Sequence, residues 1–103
     1  MKATILNQLK QLKSQYQKIG FYIVGVFGSY ARDQQTPQSD IDIVYQIDEK
    51  FINRYGGWGA IVQLEKIKDE IGTILGISKV DLAAFDSNNQ TLQRAIKEDM
   101  IYV

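Results

Sequence analysis

The feature that most constrains the fold of this chain is a run of seven apolar residues, FYIVGVF, at Phe21–Phe27. Its β-branched and aromatic side chains, with no polar position between them, are typical of a strand that is buried on both faces. The run stops at Gly28-Ser29, and a short polar segment containing the only proline, Pro37, follows it. The sequence therefore predicts an interior strand that ends in a turn at Gly28.

The rest of the chain supplies further elements of both kinds. Residues 40–47 (DIDIVYQI) alternate as a strand does, and residues 79–85 (KVDLAAF) predict a third strand. Apolar residues at helical spacing predict a first helix that ends at Gly20 and a second that ends at Gly76. Residues 53–59 (NRYGGWG) are expected to form a loop, and the spacing of Ser87 and Gln90 predicts a capping box that opens a last helix through Met100.

The order helix, strand, strand, helix, strand, helix, with short connections, indicates the fold class. It predicts a small α/β (α+β) domain in which helices pack on one face of a mixed β-sheet. With 103 residues, 45% of them hydrophobic, the chain has enough apolar surface for one core. Residues 1–103 are therefore expected to form a single domain.

Two absences and the charge balance exclude several functions. The chain has no cysteine and no histidine, which removes thiolate sites, serine-histidine hydrolases and zinc sites built on imidazole. Catalysis would have to use carboxylates, hydroxyls, Lys, Arg or a hard metal such as magnesium. The formal net charge is zero, so nucleic acid is an unfavoured partner. Lysines interrupt the N-terminal segment, so no signal peptide or membrane helix is predicted, and we expect a cytoplasmic protein.

Asp40 and Asp42 are the first candidates for chemistry. Aspartate is unfavourable within strands, and alternation places both side chains on one face, roughly 6.5 to 7 Å apart along the chain. Two carboxylates at this separation could reach a common cation, and Mg²⁺ is typically held by one or two carboxylates together with phosphate oxygens. The alternative is that both are solvated residues on an exposed sheet face.

Gly28-Ser29 is the second candidate. After a buried strand, a glycine allows backbone N–H groups to converge on an anion, so phosphate is a natural ligand. The alternative is an ordinary turn in which Ser29 caps the next segment. The sequence contains neither the P-loop nor the dinucleotide-binding glycine pattern, so the two candidates must be judged together.

The compound pattern GSYAR…SDIDIV, followed by KVDL, closely resembles the signature of the DNA polymerase beta-like nucleotidyltransferase superfamily in its minimal (MNT) branch. The resemblance extends over residues 20–102 and implies the fold of that family. It implies nucleotide-binding roles for Gly28, Ser29, Arg32 and Ser39. It also implies metal-binding and catalytic roles for Asp40, Asp42 and Asp81, with two Mg²⁺ ions and ATP as substrate. Asp33 departs from the pattern, because many relatives have glycine there.

The resemblance also implies a partner. Minimal family members commonly act as antitoxins that adenylylate a tyrosine of a HEPN-domain toxin, so the leading hypothesis is transfer of AMP from ATP to a hydroxyl of such a partner in a hetero-oligomer. A chain this short is expected to offer little concave surface for a second substrate, so the partner would complete the site. A second hypothesis is a non-catalytic antitoxin that neutralises its partner by contact. A third is a transferase for a small acceptor such as an aminoglycoside, although relatives of that kind carry a further domain.

Tyr55 and Trp58 lie among glycines in residues 53–59. They could stack on a nucleobase or anchor a partner. The equally favoured alternative is that these aromatic side chains fold back on the core.

Overall fold

A computed structural model describes all residues, 1–103, as five helical segments and four strands. In chain order these are α1 (Ala3–Tyr16), a short 3₁₀ helix (Gln17–Ile19), β1 (Phe21–Phe27), β2 (Ile41–Ile47), α2 (Glu49–Tyr55), α3 (Gly57–Leu75), β3 (Val80–Ala84), α4 (Gln90–Asp99) and β4 (Ile101–Tyr102). None of the helices combines the length and the apolar character needed to cross a bilayer.

The four strands form one mixed sheet in the order β3-β2-β1-β4. Strand β1 is antiparallel to β2 and to β4, whereas β2 and β3 are parallel. A parallel pair needs a long crossover connection, and α2 with α3 provides it. The expected mixed α+β architecture is confirmed.

The main core lies between one face of the sheet and the helices α1, α2 and α3. Its fully buried side chains alternate along β2, where Ile41 and Ile43 have no exposed surface, and they meet Phe51 of α2 and Ile67 of α3. A smaller cluster forms on the opposite face, where Phe27 and Val44 pack against Ile96 of α4. The predicted packing of helices on one face therefore describes α1–α3, while α4 covers part of the other face.

Strand β1 contains a β-bulge at Val24. Ile23 pairs with Tyr45 and Gly25 pairs with Val44, so Val24 has no partner of its own in β2. Because side chains alternate with a period of two, the extra residue exchanges the faces of all later residues in the strand. Phe27 consequently points to the smaller cluster.

The prediction of a loop at residues 53–59 is wrong. Helix α2 extends to Tyr55, and α3 begins at Gly57, so only Gly56 separates the two helices. The side chain of Asp48 caps α2 by accepting from the backbone N–H of Phe51 (3.3 Å), and burial of Phe51 anchors the helix. The cap and the burial of Phe51 stabilise α2 as far as Tyr55, and α3 includes Gly57 and Gly59 in its first turn although glycine has a low helix propensity.

Two details at the C-terminal end also differ from expectation. The residue that caps α4 is Asn89, whose side chain accepts from the N–H of Leu92 (3.0 Å), while the Ser87 hydroxyl accepts from the N–H of Asn89. The helix ends at Asp99, and Ile101–Tyr102 then pairs with β1 as a fourth strand that the sequence pattern did not indicate.

Candidate active site

Three carboxylates meet at one edge of the sheet. Asp42 lies opposite Phe27 of β1 and opposite Asp81 of β3, so the two aspartates occupy the same row on adjacent strands. Asp40 immediately precedes β2. Buried Ile41 and Val80 point to the main core, and alternation therefore directs Asp42 and Asp81 to the opposite face.

The electrostatics of Asp42 reflect this crowding. Partial burial raises its pKa to about 6, and the negative charges of Asp81 and Asp40 add to the effect. The nearby guanidinium of Arg32 opposes it. Asp42 thus lies in a site where a positive charge would be stabilising.

Asp81 responds to the same neighbours. Desolvation raises its pKa, as do a side-chain hydrogen bond with Asp40 and the charge of that residue, whereas Lys68 and Lys79 lower it. The three aspartates therefore form one interacting anionic group. Mutual repulsion of this kind is relieved when a cation binds or when a proton is shared.

The donor set fits a hard divalent cation. Carboxylate oxygens are the ligands that Mg²⁺ prefers, and one or two of them suffice when phosphate oxygens and water complete the shell. In the ligand-free arrangement no three acidic side chains surround a single point. The residues that would hold such an ion are Asp40, Asp42 and Asp81.

Gly28 opens the turn beside these carboxylates. Its φ is 78°, a conformation that favours glycine, and a Cβ atom there would collide with the carboxylate of Asp42. The carbonyl oxygens of Gly28 and Ser29 accept from the N–H groups of Arg32 (3.2 Å) and Gln34 (2.9 Å). The glycine therefore both shapes the turn and makes room for Asp42.

The N–H groups at the start of this turn are unused by the backbone. Those of Ser29, Tyr30 and Ala31 donate to no carbonyl oxygen, and the buried side chain of Tyr30 fixes the turn to the main core. Successive free N–H groups in such a turn form a concavity suited to phosphate oxygens.

Arg32 lies at the site, but its guanidinium already has protein partners. Nη1 donates to Asp99 of α4 at 2.5 Å, and Nε donates to Gln34 at 3.1 Å. Ser39 is engaged locally, because its hydroxyl accepts from the N–H of Thr36 (2.8 Å). The structure thus brings Arg32 together with Asp42, while Ser39 stabilises the loop that leads to Asp40.

The backbone at Asp33 has the conformation that glycine favours, which fits the glycine that the resemblance led us to expect there. Asp33 is the only non-glycine residue with a positive φ, 56°, a conformation that aspartate tolerates better than most residues. Its carboxylate pairs with the amino group of Met1 at 3.0 Å.

A cleft of about 730 Å³ adjoins the carboxylates on the β3 side. Asp40 and Asp81 line it together with Lys68, Thr73 and Lys79. The chain therefore has an open concave surface beside the carboxylates, and completion of the site by a partner stays a prediction. The position of Lys79 two residues before Asp81 signals a shared face, but nothing in the sequence indicates that Lys68 joins them.

The aromatic residues near the start of α3 lie elsewhere. Trp58 is 83% exposed, and a helix rise of 1.5 Å per residue places it about 15 Å along the axis from Lys68. Tyr55 packs on Phe51 with ring centroids 5.0 Å apart. Neither side chain lines the cleft.

Comparisons with known proteins agree with this geometry. A family model described as "Polymerase beta, Nucleotidyltransferase" matches residues 7–103. A Methanocaldococcus jannaschii protein, named as a candidate protein adenylyltransferase, is 36% identical over 104 residues, covering 95% of this chain and 97% of the relative. A solved structure of a candidate minimal nucleotidyltransferase superposes with a TM-score of 0.72 at 22% identity, over 97% of this chain and 93% of the other. A toxin-antitoxin crystal structure with AMP-PNP gives 0.64 at 20% identity, over 93% and 69%.

Proposed function

Because the chain belongs to the polymerase beta nucleotidyltransferase family, we propose that it transfers AMP from ATP to a hydroxyl of a partner protein. The observation that carries the proposal is the common edge of the sheet at which the Gly28 turn, Asp42 and Asp81 meet. A phosphate-binding turn beside clustered carboxylates is the minimum that phosphoryl transfer needs without histidine.

Each group has a distinct role. The free N–H groups after Gly28 hold the β- and γ-phosphates, and Arg32 adds a forked donor. Asp40, Asp42 and Asp81 would hold two Mg²⁺ ions, which when bound supply positive charge to the entering and leaving oxygens. The acceptor oxygen forms a bond to the α-phosphorus as the bond to the β-phosphate oxygen breaks, and pyrophosphate leaves with that electron pair. The carboxylate of Asp81 takes the hydroxyl proton.

The proposed acceptor is a protein, for two reasons. The Methanocaldococcus jannaschii relative is named as a candidate protein adenylyltransferase, and a chain with zero net charge has no field to attract a polyanionic acceptor. The similar fold of a toxin-antitoxin structure supports a toxin-like partner. We assign that partner as a HEPN-domain protein bound in a hetero-oligomer.

The test is co-expression with a candidate HEPN-domain partner encoded beside this protein, followed by intact mass measurement of both chains. We expect an AMP addition to the partner that requires ATP and Mg²⁺. Asp81→Ala should abolish the addition and retain most ATP affinity, since Asp40 and Asp42 remain. Asp86→Ala is the matched control, because Asp86 lies in the turn that follows β3, at the other end of that strand from Asp81.

The competing function is neutralisation by contact alone. It would be the better account if wild-type protein added no mass to the partner, and if alanine variants of Asp40, Asp42 and Asp81 neutralised the partner as well as wild type does.

A further inference from the structure

We propose that the cleft beside Asp81 binds the acceptor as a polypeptide segment in which an acidic residue neighbours the reactive hydroxyl, and that Lys68 and Lys79 select it. This inference rests on the proposed transfer reaction and specifies its second substrate.

The position of the cleft supports the assignment. The strand order β3-β2-β1 places the Gly28 turn on one side of the carboxylates and the cleft on the other. In-line displacement requires the acceptor oxygen to enter opposite the leaving pyrophosphate. If the turn holds the β- and γ-phosphates, the hydroxyl must arrive from the β3 side. The cleft is the concave surface on that side, and Asp81 lies at its boundary.

The lining of the cleft indicates the chemistry of its ligand. Only two of its eleven lining residues are hydrophobic, so an apolar ligand would gain little by binding. Lys79 forms no ion pair, and Lys68 is paired only loosely, with its ammonium 3.9 Å from a carboxylate oxygen of Glu65. Both ammonium groups are therefore available to a carboxylate on the incoming segment.

The same lining argues against a nucleic-acid acceptor. Two lysines face three carboxylates in the cleft, namely Asp40, Asp69 and Asp81. Ions bound to Asp40 and Asp81 would offset the charge of these two carboxylates and leave two lysines against Asp69, a balance that accommodates one carboxylate better than a chain of phosphates. A peptide can place a single carboxylate near the lysines and a neutral hydroxyl near Asp81. The charge pattern thus favours a mildly acidic polypeptide.

The experiment uses the full-length protein, Mg²⁺, α-labelled ATP and three sets of ten-residue peptides. Each peptide has one tyrosine, serine or threonine, flanked on both sides by Glu, by Lys or by Ala. Because a partly exposed ion pair contributes up to about 1 kcal/mol, we expect Glu-flanked peptides to be labelled about fivefold faster than Lys-flanked ones. The double variant Lys68→Glu/Lys79→Glu should reverse this preference. Lys66→Glu, a charge reversal on α3 outside the cleft, should leave it unchanged.

Calorimetric titration of each variant with MgATP separates the possible failures. If the wild-type protein does not bind ATP, the proposed function itself is wrong. If the wild-type protein binds ATP but labels all peptides at equal rates, the cleft assignment alone is wrong. The same conclusion follows if the double variant keeps the wild-type preference for Glu-flanked peptides. The assignment also falls if no peptide is labelled while a whole partner protein is, or if an oligoribonucleotide end is labelled in place of the peptides.

To exclude an effect of reversed charge on Asp81, the neutral variant Lys68→Gln/Lys79→Gln is measured in parallel. It should label Glu- and Lys-flanked peptides at similar rates. A retained preference for Glu-flanked peptides in this variant contradicts selection by the two lysines.

Discussion

The two faces of the sheet differ in composition although the same strands build both. Along β2, Ile41 and Ile43 are completely buried beneath the helices, whereas Asp42 between them points to the opposite face with a pKa raised to about 6. The first face gains free energy from burial, of the order of 1.5 to 3 kcal/mol for each large apolar side chain. The second face accumulates like charges, which costs stability. At the Asp42 end of β2, stability and chemistry therefore alternate from residue to residue and can be altered separately, whereas Val44 farther along the second face is buried in the smaller cluster.

The largest expected effect comes from the core face. Ile43→Ala should lower the free energy of unfolding by about 2 to 5 kcal/mol, since it leaves a cavity under fully packed helices. Gln46→Ala, at an exposed position on the opposite face of the same strand, is the control and should change stability by less than about 0.5 kcal/mol. Chemical denaturation measures both. Equal losses of unfolding free energy in the two variants would show that these two positions contribute equally to stability, contrary to the expectation.

The next largest effect is expected at the Gly28 turn, beside Asp42. Gly28→Val should weaken MgATP binding by about 100-fold or more, equivalent to roughly 2.7 kcal/mol, because the added side chain is strained at positive φ and collides with Asp42. Gly56→Val is the matched control: its φ is 73°, but no atom lies within 4 Å of a Cβ there. Calorimetry on folded protein should find ATP affinity retained in this control. Similar affinity for both variants would remove the turn from the nucleotide site.

A smaller effect, of opposite sign to the core variant, is expected for Asp42→Asn without ligand. The pKa of Asp42 is raised from 3.8 to about 6 in the folded protein, so protonation favours folding. Wild type should therefore gain stability as the pH falls through 6 towards 4, and lose it again as the pH rises. The Asn variant should be more stable by about 1 kcal/mol at pH 8, after allowance for solvent screening.

The check is a series of thermal melts of both proteins between pH 4 and pH 8. The stability difference should shrink steadily on acidification. A difference that grows as the pH falls would mean that Asp42 is stabilised as a carboxylate in the apo protein, which contradicts the repulsion described for this face.

The smallest effect is expected at the ion pair between Arg32 and Asp99, which joins the turn to α4. Because 45% of the Arg32 side chain and 21% of the Asp99 side chain are exposed, the pair should contribute only about 0.2 to 1 kcal/mol. A double-mutant cycle with Arg32→Ala and Asp99→Ala measures this coupling, and high salt should reduce it. A coupling of several kcal/mol would show that this ion pair is a major contributor to stability on the face that carries Asp42 and Asp81, contrary to the expectation.

Much of this division was predictable, because the side-chain period of a strand is fixed. The alternation of residues 40–47 placed Asp42 and Ile43 on opposite faces. That Asp81 lies opposite Asp42 is a property of the parallel register of β2 and β3, which alternation within one strand does not specify. The roles of the individual site residues stay predictions, since they rest on a resemblance of motifs and on ligand-free geometry.

Other features depended on contacts that a local pattern does not contain. The Asp48 cap and the burial of Phe51 carry α2 through residues 53–55, and α3 then begins among the glycines at Gly57. Two residues, Ile101–Tyr102, are too few to show any periodicity as a strand. The cleft forms because β2 pairs with β3, and this pairing brings α3 alongside the strands. Ile41 pairs with Val80, which is 39 positions later in the chain. Such long-range pairing has no signature in either segment alone.

Because of the bulge at Val24, β1 should tolerate a one-residue change in length that the neighbouring strands would not tolerate. A one-residue insertion or deletion in an ordinary strand inverts every side chain beyond it, and in β2 such a change ahead of Asp42 would turn that residue towards the core. In β1, loss of the unpaired residue could restore regular pairing in the first half of the strand while the second half keeps its phase with β2. Length variation among homologous sequences should therefore accumulate near residue 24 and be rare between residue 40 and residue 47.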